Sequence, residues 1–73
     1  MKKYRNRLRD LRQDRDMTQA QVAEAFSMQL TQYRRYENGE SDIPLALAVR
    51  FAYFYGVSVD YIAGIIEKPR KPQ

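Results

Sequence analysis

Apolar residues recur along this chain at helical rather than strand spacing. Tyr4, Leu8 and Leu11 stand at i, i+4 and i+7 and mark the buried stripe of a first helix over Tyr4 to Asp14. Val22, Ala23 and Phe26 fall on one face of a second, about Gln19 to Phe26, with Thr18 placed as its N-cap. Tyr33 and Tyr36 lie three apart on a third, Leu30 to Tyr36, which stops near Asn38-Gly39, both tolerant of left-handed backbone. Pro44 suits the first turn of a fourth helix that runs to Tyr55 and ends at Gly56. Leu45, Ala48, Val49, Ala52 and Tyr55 form its expected core stripe, with Phe51 at the edge. Ser58 caps a short fifth helix, Val59 to Ala63, closed by Gly64. Tyr53-Phe54-Tyr55 alone would tolerate a strand, but the helical spacing between Pro44 and Gly56 decides for helix. The pattern predicts one all-α domain over residues 1–66 and a basic, disordered tail over 67–73, where two prolines and three cations sit together.

The second and third helices are joined by little more than Ser27, Met28 and Gln29, the spacing of two short helices pinned by one tight turn. With Val22, Ala23, Phe26, Met28, Tyr33 and Tyr36 as apolar anchors, the third helix turns Leu30, Thr31, Gln32, Arg34 and Arg35 away from the core. A polar, arginine-bearing helix face of this kind suits the DNA major groove.

Composition narrows the chemistry. Seventy-three residues make one small domain, which by size scaling buries roughly 60% of its unfolded surface. Cysteine and histidine are both absent, so there is no disulfide framework, thiolate metal site or histidine general base. No enzyme activity, metal or cofactor is expected. No apolar run approaches the roughly 18 residues of a membrane span, and nothing resembles a signal peptide, so a soluble cytoplasmic protein with no membrane association is expected. The net charge is +4 and the pI about 9.6. Lys2, Lys3, Arg5, Arg7 and Arg9 load the first segment, Lys68, Arg70 and Lys71 the tail, and Arg34 and Arg35 form a pair between them. Basic ends suit a polyanion and predict salt-dependent binding through counterion release. They would equally keep a small protein soluble, so they add weight to the motif without replacing it.

Several features fall in a fixed order. Thr18-Gln19 opens the second helix, Ala23 stands where two helices cross closely, Tyr36-Glu37-Asn38-Gly39 closes the third, and Gly56-Val57-Ser58-Val59-Asp60 joins the last two. Together they resemble the phage-repressor and Cro-like (XRE) helix-turn-helix family over about Leu8 to Ala63. The resemblance implies a five-helix, lambda-repressor-like DNA-binding domain whose second and third helices form the helix-turn-helix. Two residues depart from the family pattern. Ser27 stands where glycine is usual, at a turn position that prefers φ > 0, at a cost of about 1 kcal/mol. Gln29 stands where Ser or Thr would cap the third helix, and glutamine caps poorly, so that helix is expected to start less firmly or one residue later.

The resemblance also implies roles. Gln29, Leu30, Thr31 and Arg35 would face base edges, with Arg35 suited to guanine O6 and N7, a contact worth about 1–3 kcal/mol of discrimination. Leu30 has a second reading as a helix-packing residue, and Arg35 as a phosphate contact. Thr18, Gln19, Gln32, Arg34 and Asn38 would meet phosphates, Gln19 beside the N–H groups that open its helix. Asn38 reads alternatively as a left-handed helix terminator. Arg12 and Glu37 match a pair that ties the first helix to the end of the third; exposed, such a pair contributes only about 0–1 kcal/mol.

Leu47 and Phe54 are left over on the fourth helix, seven residues apart around Arg50, with Tyr61, Ile65 and Ile66 beyond. Exposed apolar patches mark interfaces, and the resemblance implies dimerisation in this region. These five residues are therefore expected at a homodimer interface, reading an inverted repeat with half-sites about one helical turn apart. Ile65 and Ile66 could instead fold back over the core. The expected function is that of a sequence-specific transcriptional regulator, a small prokaryotic or phage repressor, with double-stranded DNA as partner. The alternative is an antitoxin or anti-repressor-type module that uses the same fold to bind a protein.

Overall fold

The computed structural model describes residues 6–64. Tyr4, Ile65, Ile66 and the basic tail lie outside the described residues. Five helices follow in order: α1 Leu8–Asp14, α2 Gln19–Ala25, α3 Leu30–Asn38, α4 Leu45–Tyr55 and α5 Val59–Ile62. Among the described residues there is no strand, and no helix is long and apolar enough to cross a membrane.

The helix ends follow from local chemistry. Thr18 caps α2 as expected, and does so within a capping box: its hydroxyl accepts from Gln21 N at 3.1 Å while Gln21 Oε1 accepts from Thr18 N at 2.8 Å. Ser58 Oγ accepts from Tyr61 N at 3.1 Å and opens α5. Gly56 closes α4 at φ 69°. Pro44 stands just before α4, which starts at Leu45.

The first helix is shorter than the spacing predicts and starts at Leu8. Asn6 Oδ1 accepts from Leu8 N at 3.0 Å, and Arg7 N donates to the carbonyl of Ile62 at 2.9 Å. These bonds occupy the N–H groups of Arg7 and Leu8 at the entrance of α1 and tie Arg7 to the end of α5.

Leu8, Val22, Tyr33, Phe51 and Ile62 form the centre of the core, each fully buried. Phe51 is a central residue rather than an edge one, with its ring centroid 4.4 Å from that of Phe26 and 6.2 Å from that of Tyr33. The buried face of α4 is thus rotated from the expected stripe. Leu45 and Val49, expected in the core, are 74% and 39% exposed, and Tyr53 is 59% exposed. Leu47 and Phe54, expected on a free face, are half-buried and packed against the core, Phe54 with its ring 5.0 Å from Phe26. Two phenylalanines remove more apolar area from water than a leucine and a valine, so the helix turns Phe51 and Phe54 inward. Tyr61 is also half-buried against the core.

Candidate nucleic-acid interface

The turn between α2 and α3 has the conformation its sequence position predicts: Ser27 has φ 54°. Gln29 precedes α3 without a side-chain capping bond, yet α3 starts at Leu30, because Tyr33 N still donates to Gln29 O at 3.0 Å. From there Tyr33 and Glu37, one turn apart, both point into the protein, Tyr33 fully buried and the Glu37 side chain without any exposure. Their burial fixes the rotation of the helix. Thr31, Arg34 and Arg35 are exposed, while Leu30 and Gln32 are half-buried. Leu30 packs against the core, in line with its reading as a packing residue. Among the described residues the Arg35 guanidinium has no hydrogen-bond partner.

The far end of α3 corrects the reading of Asn38 as its terminator. Asn38 is the last helical residue, and Gly39, at φ 76°, is the left-handed one. Glu40 N then donates to Arg35 O at 2.9 Å. Asn6 Nδ2 donates to the carbonyl of Tyr36 at 2.8 Å, so Asn6 serves the start of α1 and the end of α3 together. Nothing in the spacing of the sequence marks Asn6 for this.

Glu37 is the electrostatic centre of the region. Arg12 grips it with Nε at 2.9 Å from Oε2 and Nη2 at 3.0 Å from Oε1, while Arg12 Nη1 donates to Met17 O at 2.9 Å. The expected pair is therefore buried and bidentate, which makes it stronger than a surface pair. Two further groups reach the same carboxylate. Arg9 Nε lies 3.3 Å from Oε1, and Gln19 Nε2 donates to Oε1 at 3.2 Å. Gln19 Oε1 in turn accepts from Arg34 Nε at 3.2 Å, and Arg9 Nη2 donates to Asn38 Oδ1 at 3.2 Å. Burial alone would raise the Glu37 carboxyl, but the hydrogen bonds and charge of Arg12, with help from Gln19, hold it below its ordinary value. Burial pushes the Tyr33 phenol far up, and the carboxylate nearby adds to the shift, so Tyr33 stays neutral.

The arginines of the first segment are thus more than a solvated basic face. Arg7 Nη1 donates to Tyr61 O at 2.8 Å, with its guanidinium 4.4 Å from the Tyr61 ring centre. Arg15 Nη2 donates to Tyr55 O at 3.0 Å, where α4 ends. Thr18, expected near phosphates, uses its hydroxyl oxygen in the capping box. No group of three or more Asp or Glu among the described residues is placed to hold a metal ion.

Two short helices locked at a tight turn, with an exposed basic face on the second, define a helix-turn-helix domain. The family model described as helix-turn-helix matches residues 8–62, and the chain belongs to that family, as its phage-repressor-like (XRE) features imply. It is similar to an uncharacterised HTH-type transcriptional regulator, YobD, of Bacillus subtilis: 39% identical over 66 residues, covering 90% of this chain and 59% of that protein. It is also similar to the cryptic phage CTXphi transcriptional repressor RstR of Vibrio cholerae, 34% identical over 56 residues, covering 77% of this chain and 50% of RstR. The chain thus spans about half to three-fifths of the length of these relatives. No solved structure matches it.

Proposed function

We propose that this chain is a sequence-specific DNA-binding unit of a cytoplasmic transcriptional regulator, a repressor, with α3 in the major groove. The observation that carries this reading is the geometry of α3. Tyr33 and Glu37 anchor one face in the core, and the opposite face carries Thr31 and an Arg35 guanidinium without a partner among the described residues. A free guanidinium on a fixed helix suits bidentate contact with guanine, and Thr31 suits a base edge or a thymine methyl. Gln29 lies at the helix entrance, and Leu30 contributes apolar contact with its exposed part. Arg34, Gln32, Thr18 and Asn38 take the phosphate side. The kinship to a phage repressor supports repression as the regulatory sense.

The protein acts on an inverted repeat as a homodimer. The apolar surface supporting this is the α4 stripe Leu45, Val49 and Tyr53, spaced i, i+4 and i+8, instead of Leu47 and Phe54. Leu45 also borders a shallow cleft of about 320 Å³ walled by Ile43, Ala48, Val59 and Ile62.

Arg35→Ala tests the groove-reader assignment. It should weaken operator binding by about 1–3 kcal/mol and relax base preference at one position, with the melting temperature unchanged. Unaltered affinity and base preference in titrations of duplex DNA would refute the assignment.

A further inference from the structure

We propose that buried Glu37 is the hub of a phosphate-binding arc, in which Arg9 and Arg34 each take a DNA backbone phosphate and Gln19 positions Arg34. This deepens, and rests on, the reading of α3 as a groove reader.

Two guanidiniums, those of Arg9 and Arg12, meet the Glu37 carboxylate, and a third, that of Arg34, is linked to it through Gln19. Arg12, bidentate and only 12% exposed at its side chain, already neutralises Glu37. The positive charges of Arg9 and Arg34 are then a surplus at the surface beside the recognition helix.

The Arg9 side chain is 56% exposed and is held at two points, Nε to Glu37 and Nη2 to Asn38, which leaves its Nη1 amino group for an anion. Arg34 is exposed and is held through Nε, which leaves both of its amino groups for an anion. Guanidiniums tethered in this way have lost much of their rotamer freedom before a phosphate arrives, so less is lost on binding. The Gln19 amide has its nitrogen on Glu37 and its oxygen on Arg34. It therefore transmits the fixed position of the buried carboxylate to an exposed arginine. Phosphate suits the arc because a planar guanidinium with paired donors matches its oxygens.

The salt dependence of binding to duplex DNA tests the arc. Each phosphate contact contributes about 0.9 to the slope of log K against log salt. Arg9→Ala should make the slope shallower by about that amount and weaken operator and random-sequence duplex alike, leaving base preference intact. Arg9→Lys should keep the slope. An Arg9→Ala variant that melts like the parent and keeps its slope would overturn the arc while leaving the groove reading in place. Gln19→Met, which removes both hydrogen bonds, should weaken binding in the parent and have no further effect once Arg34→Ala is present. Equal losses in the two backgrounds would show that Gln19 acts independently of Arg34, which overturns its positioning role. Absence of any duplex binding by the parent would instead refute the groove reading, and the arc with it.

Discussion

Glu37 is a carboxylate with no exposed side-chain surface, held on α3 by an arginine from α1 and an amide from α2. Removing a partner from such a buried pair strands the other charge, at a cost of about 3–5 kcal/mol. Glu37→Gln should therefore destabilise the domain by about 3 kcal/mol in urea unfolding. Its pH signature has a definite sign. The Glu37 carboxyl lies below its ordinary value of 4.5 in the folded protein, so its contribution is fully present above that value. The contribution is lost as pH falls through the lower folded value. Stability of the parent should thus fall below about pH 4.5, and Glu37→Gln should flatten that acid limb; an equally steep limb in the variant would contradict the role given to Glu37. Ser27 presents a smaller strain, an L-residue at φ 54° in the turn. Ser27→Gly relieves about 1 kcal/mol of it, partly offset by added freedom in the unfolded chain. The melting temperature should rise by about 2–4 °C, and an unchanged or lower value would refute the strain argument.

Element by element, legibility follows how local the determining interaction is. Thr18, Ser58 and Gly56 act within one turn of their own positions, and each stands where its side chain or its lack of one predicted. Ser27 was legible through the family resemblance, which sets it at a turn position that prefers φ > 0. The rotation of α4 was not legible. Leu45, Ala48, Val49 and Ala52 satisfy helical periodicity as well as Ala48, Phe51, Ala52 and Tyr55 do, and only contact with Phe26 and Tyr33 decides between them. The arginines in and flanking α1 were hidden in the same way. Arg7, Arg9, Arg12 and Arg15 look alike in sequence, yet they reach Tyr61, Glu37, Glu37 and Tyr55 respectively. Their targets are separated in sequence by 25 residues or more. Arg12 and Glu37 were found through the family resemblance, whereas Arg9, Asn6 and the Gln19–Arg34 contact needed the folded arrangement.

At the scale of the molecule, the exposed α4 stripe and the basic α1–α3 edge are separate surfaces, so the proposed self-association and DNA binding can be addressed by mutation independently. Val49→Glu at the middle of the stripe should abolish self-association, read as a drop to monomer mass in light scattering. Because Val49 is exposed in the isolated domain, it should leave the unfolding free energy of the monomer within about 0.5 kcal/mol of the parent's. A variant that keeps dimer mass would remove this stripe from the interface. Arg35→Ala should spare the mass and weaken DNA binding. Sequence reading by α3 is tested by selecting bound sites from random duplex DNA at a stated salt concentration. An enriched inverted repeat, with half-sites about one helical turn apart, is the predicted result, and a pool that emerges without any enriched sequence would contradict it.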